Sequence, residues 1–141
     1  MIALVLAVAI LVPTLLELPQ RHAAVDASHQ VDAANWTAHA LDVMEPDAAI
    51  VSWWSYSTPL WYAQLVEGQR PDIAIIDDRT RLDQNLGSIT DVIDANLGKR
   101  PVYVIRLDPN EVRLLAGRYD LEYIDGGDAR TLTRVIGRKA T

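Results

Sequence analysis

Three short apolar runs, at residues 48–51, 73–76 and 102–105, constrain this chain more than any other feature. Each is nearly continuous rather than alternating. Strands read that way when both faces are covered, as in a parallel sheet layered between helices. Helical stretches lie between the runs, at 59–67 and about 89–97, and both end alike. Gly68-Gln69-Arg70-Pro71 closes the first and Gly98-Lys99-Arg100-Pro101 the second, 30 residues apart, about the length of one strand-helix unit. Glycine stops a helix by turning left-handed, and proline suits a strand start that needs no ladder donor. The repeat predicts a β-α-β-α-β order.

An earlier helix is expected from Ser28, an N-cap candidate, to Pro46, because Val31, Ala34, Ala38, Leu41 and Met44 recur at helical spacing. Asp108-Pro109 opens another helix, which runs to about Gly117. Residues 119–124 read as a strand and Gly126-Gly127 as a turn. The β-branched residues of 131–136 favour a second strand and an antiparallel hairpin. Arg130, Arg134 and Arg138 also match a helical i, i+4 spacing, but propensity favours the strand. The expected fold is thus α/β, a parallel β-α-β-α-β core (Rossmann-like, three-layer) with a C-terminal antiparallel hairpin.

No charge occurs before Glu17. Residues 1–16 are apolar all round, short of the roughly 20 needed to span a bilayer core. A signal peptide would want basic residues first and a small-residue cleavage site after. A core helix would want a polar face. The reading adopted is the C-terminal part of a transmembrane helix over 1–17, then a linker over 18–27 and an α/β domain over 28–141. Arg21 alone is too little charge to orient such a helix.

Composition excludes some functions. The net charge of −6 argues against nucleic acid, whose phosphates need clustered Lys and Arg. With no cysteine, disulfide scaffolds, zinc knuckles and thiol nucleophiles are ruled out.

Ligands of open α/β sheets gather beyond the carboxyl ends of the strands, which selects three segments. The first, 52–62, holds Trp53, Trp54, Tyr56, Trp61 and Tyr62, five of the nine aromatics of the chain. Indole faces stack on sugars, and Ser55 and Ser57 add hydroxyls. The second holds Asp77, Asp78, Arg79 and Arg81; the third is Arg106-Leu107-Asp108. The candidate ligand-binding set is Trp53, Trp54, Ser55, Tyr56, Ser57, Asp77, Asp78, Arg79 and Arg81. Ordinary packing competes with that reading, since large aromatics are common core residues. Asp77 and Asp78 are conceivable acid–base partners or metal ligands, but Asp83 completes no recognised metal pattern. No dinucleotide, phosphate-loop or nucleophile-elbow motif is present. His22, His29 and His39 lack metal-ligand spacing. The Asn35-Trp36-Thr37 sequon falls in an expected helix. No catalytic residue, metal or cofactor is assigned. The basic residues from Arg130 to Lys139 read first as a solvated face, and second as a contact for anionic lipid.

The stretch Val51-Ser52-Trp53-Trp54-Ser55-Tyr56-Ser57-Thr58-Pro59-Leu60-Trp61-Tyr62, followed by Val66-Glu67-Gly68-Gln69-Arg70-Pro71-Asp72-Ile73, resembles the C-terminal region of the DUF2723 membrane proteins. These look like protein O-mannosyltransferases, polytopic glycosyltransferases that use lipid-linked sugars. Their pattern places a last transmembrane helix, a linker, a helix, and then a strand entering a Pro-Leu-Trp-Tyr helix. In such enzymes the catalytic acidic residues lie near the N-terminus of the polytopic part, so none carries over to this chain. The resemblance implies a non-catalytic, extracytoplasmic accessory domain, either a fragment or a separately encoded piece. Its partners would be the membrane, the polytopic glycosyltransferase domain or its acceptor. The alternative is a membrane-anchored module that binds carbohydrate or a small polar ligand.

Overall fold

A computed structural model of the chain describes residues 11–12, 15–18, 20–21 and 31–140. Two compact units divide the chain, 1–32 and 33–141. In the first, residues 11–12, 15–18 and 20–21 are helical, and Arg21 pairs with Glu17 one turn earlier. In the second, the elements run α1 (Asp32–Val43), β1 (Ala49–Val51), α2 (Trp54–Leu65), β2 (Ala74–Ile76), α3 (Asp78–Asp83), α4 (Ile89–Asn96), β3 (Val102–Val104), α5 (Pro109–Arg118), β4 (Tyr119–Tyr123) and β5 (Thr133–Arg138).

All five strands form one sheet, in the order β2-β1-β3-β5-β4. β1 lies parallel to both β2 and β3, with Ile50 opposite Ile75 and Tyr103. β5 is antiparallel to β3 and β4. Alternation along the strands divides the core between the two faces. Ile50 and Tyr103 join Ala40, Leu41, Leu60 and Ala63 of α1 and α2. Val51, Val102 and Val104 join Ile89, Val92 and Ile93 of α4 and Val112 and Leu115 of α5. Helices therefore cover both faces, which is why the three parallel strands read as unbroken apolar runs.

Local chemistry sets the helix ends. Asp77, Ser88 and Asp108 cap α3, α4 and α5, and Ser88 forms a reciprocal capping box with Asp91. Gly68 and Gly98 sit at φ +70° and +81°, and only glycine takes that conformation without strain. The two arginines of the repeat brace the segment between α1 and β1. Arg70 donates to the carbonyls of Leu41, Met44 and Glu45 at the end of α1, and Arg100 lies 3.4 Å from Asp47.

The expected architecture is corrected in part. The sheet as a whole is mixed: β1, β2 and β3 are parallel and the C-terminal β4–β5 pair is antiparallel, as expected, and β5, the last strand in the chain, joins the pair to β3. Among the described residues, no helix is long and apolar enough to cross a membrane. The expected transmembrane helix is thus not found there, and residues 1–10, 13 and 14 of its expected span lie outside the described residues. Physically, the uncharged run stops at Leu16, and Glu17 and Arg21 follow within the described helical residues. The described helical residues thus carry two charges, which a membrane span rarely holds. The expected 52–62 loop is also mostly helix, since α2 starts at Trp54, five residues before Pro59.

Candidate functional site

β1, β2 and β3 deliver Ser52, Asp77 and Arg106 to one end of the sheet. Each follows its strand by one or two residues, and each is buried. Arg106 is the hub, with only 1% of its surface exposed. Its Nη1 donates to the Ser52 carbonyl at 2.8 Å, and its Nη2 donates to both oxygens of Asp78 at 2.9 Å. Nε donates to Glu111 Oε2 at 2.8 Å, and Nη2 reaches Glu111 Oε1 at 3.2 Å. The guanidinium also faces the Trp53 ring, 5.5 Å from its centroid. Burial works against its charge, but Glu111 and Asp78 outweigh that and hold its pKa above the ordinary arginine value.

The other groups at this rim are also engaged. Ser52 and Ser57 share a hydrogen bond at 2.5 Å between buried hydroxyls. Asp77 accepts the amide of Thr80 at 2.7 Å as the cap of α3. Arg81 lies 3.6 Å from Asp78 and donates to the Gly87 carbonyl at 2.5 Å. Its Nε is buried without a hydrogen-bond partner among the described residues. No group of three or more His, Asp or Glu among the described residues could hold a metal ion.

The candidate set thus divides. Trp53, Ser57, Asp77, Asp78 and Arg81 converge around Arg106 or its neighbours. Arg79 turns to Asp83 instead, at 2.7 Å on the exposed side of α3. Tyr56 belongs to the α1–α2 core, its ring 4.8 Å from that of Trp36. Ser55 and Trp54 are exposed. Sequence reasoning selected the segment of Arg106 but not the residue, and it passed over Glu111 altogether. The available signal was an arginine directly after an apolar strand, with a glutamate five positions later in the first turn of a helix.

A second feature lies along α2. Trp54, Thr58, Tyr62, Leu65 and Val66 follow one another at helical spacing, and all are exposed. Trp54 is 61% and Leu65 77% exposed. Beside this stripe, Ala34, Thr37 and Ala38 of α1 and Pro59, Tyr62 and Ala63 of α2 line a largely apolar groove. Comparison with known protein families, with curated proteins and with solved structures finds no match to this chain.

Proposed function

We propose that the chain is a non-catalytic accessory domain that acts by docking. One observation carries this reading: the ionisable groups at the strand ends are already engaged in holding the fold, whereas the α2 stripe is large, apolar and exposed. A general acid or base needs a group free to exchange a proton with substrate. Asp77 is tied to a helix cap, and Asp78 and Glu111 are tied to Arg106. Exposed Trp, Tyr and Leu in a contiguous row are what a protein contact requires. The Trp53–Tyr62 resemblance supplies the partner class, a polytopic glycosyltransferase of the protein O-mannosyltransferase type, with this domain on its extracytoplasmic side. The test uses proteoliposomes holding such an enzyme, a polyprenyl-phosphate sugar and an acceptor peptide. The chain alone should transfer no sugar. Added to the enzyme it should bind, and the W54S/L65S variant should bind at least about tenfold more weakly. Robust transfer by the chain alone overturns the reading, as does undiminished binding by the variant.

The exposed Trp54 indole and the unpartnered Arg81 Nε favour a second reading, a module for carbohydrate or a small polar ligand. A glycan panel in which W54A and R81Q bind as tightly as the parent chain would eliminate it.

A further inference from the structure

Away from the strand-end rim, the last residues of β5 and α5 build a second charged site. Val135 of β5 pairs with Val102, the first residue of β3, so Arg138 lies beyond the amino end of that strand. There Asp94 of α4, 14% exposed, takes three donors. Arg138 Nε reaches its Oδ1 at 2.8 Å, the Tyr119 hydroxyl the same oxygen at 2.9 Å, and Arg118 Nη2 its Oδ2 at 2.6 Å. The Arg118 guanidinium is further held over the Tyr119 ring, 5.8 Å from the centroid. One carboxylate therefore fixes two guanidinium groups whose side chains remain 47% and 58% exposed. Among the described residues, each gives only one nitrogen to a hydrogen bond, although a guanidinium carries five N–H donors.

These two arginines line a cleft of about 410 Å³ with Gly117, Lys139 and Ala140. Among the described residues the lining has three cations and no carboxylate, in a chain of net charge −6. Lys139 Nζ donates to the Ala116 carbonyl at 2.7 Å, and its backbone amide to that of Arg118 at 3.0 Å. The negative end of α5 is thus answered by the chain itself and does not repel an anion. Asp91, one turn earlier on α4, is committed to the Ser88 cap. Three cations against one shared carboxylate suit a dianion, and forked guanidinium donors fit the oxygens of a phosphate.

We propose that this cleft binds the phosphate group of an anionic ligand, held by Arg118, Arg138 and Lys139, with Asp94 as the positioning residue that sets both guanidinium groups. The same chemistry belongs to a soluble phosphate ester and to a lipid headgroup. Two probes separate them: inorganic phosphate followed by amide shifts, and sedimentation with phosphatidylcholine vesicles with and without phosphatidic acid. Phosphate should shift the amides of Gly117, Arg118, Lys139 and Ala140 in a saturable way. R138Q should weaken binding by about tenfold and K139Q, an exposed change outside the Asp94 network, by about threefold. Sedimentation only with the phosphatidic acid vesicles adds a headgroup as the source; its absence leaves a soluble ester. D94N gives the decisive contrast. It makes the cleft more positive, so a mere patch of charge would bind phosphate more tightly, whereas an oriented site binds it more weakly. Tighter or unchanged binding by D94N overturns the proposal. So does unchanged binding by both R138Q and K139Q, or the absence of saturable shifts.

Discussion

At the carboxyl ends of β1, β2 and β3, one buried arginine collects two carboxylates and a carbonyl, and all three of its nitrogens are engaged. At the opposite end, one carboxylate collects two arginines and a tyrosine, and the arginines keep most of their donors. The same two residue types are used with the roles exchanged. A saturated arginine can only hold structure, because a ligand would have to displace a partner in a site of low dielectric. A saturated carboxylate beneath unsaturated arginines holds structure and still presents donors. The rim favoured by the sheet topology is therefore the closed one, and the end that topology does not favour is open.

Stability measurements can break this comparison. The largest effect is expected from R106A, which strands Glu111 as an uncompensated carboxylate and leaves Asp78 only the more distant Arg81. Denaturant unfolding should show a loss of about 3–5 kcal/mol. D94A should cost less, about 1–3 kcal/mol, since two of the three groups it strands, Arg118 and Arg138, are about half exposed and only Tyr119 is buried. If D94A proves the costlier change, the two ends do not differ as described. R138A, at a half-exposed ion pair, should stay within about 1 kcal/mol, and W54S within about 0.5 kcal/mol. A large loss from W54S would mean that the α2 stripe packs rather than docks.

A pH titration sharpens the same contrast. Burial and the Asp94 carboxylate push the Tyr119 hydroxyl up from 10.0 to about 12. Its neutral form is therefore favoured by folding. That contribution is full below pH 10 and is lost as pH rises from 10 toward 12. Thermal melts should show an alkaline drop in this window, and it should be smaller in Y119F. At the acid end, burial works against the Asp94 charge, but Arg138, Tyr119 and Arg118 together hold its pKa below the ordinary carboxylate value. Its contribution is present above that ordinary value and is lost as pH falls through the lowered one.

Much of the fold could be read along the chain because its causes are local. Asp108-Pro109 starts α5, and Gly68 and Gly98 adopt the left-handed conformation that ends a helix. The start of α2 could not be read from Pro59. The helix begins five residues earlier, at Trp54, and carries the proline inside it, with the hydroxyls of Ser57 and Thr58 bonded back to the carbonyls of Trp53 and Trp54. That shift moves Trp54 and Ser55 out of a loop and onto the exposed face of a helix.

Strand type, the Asp108 cap and the Gly-x-Arg-Pro repeat followed from residue order, because each depends on neighbours within a few positions; the expected Ser28 cap lies outside the described residues. The position of β5 between β3 and β4 depended on long-range pairing, as did the pairing of Arg106 with Asp78, 28 residues away, and of Arg138 with Asp94, 44 residues away. A charge in the sequence has no partner until strand order and register place one beside it. That placement made Arg106 part of the frame and left Arg118 and Arg138 with donors to offer.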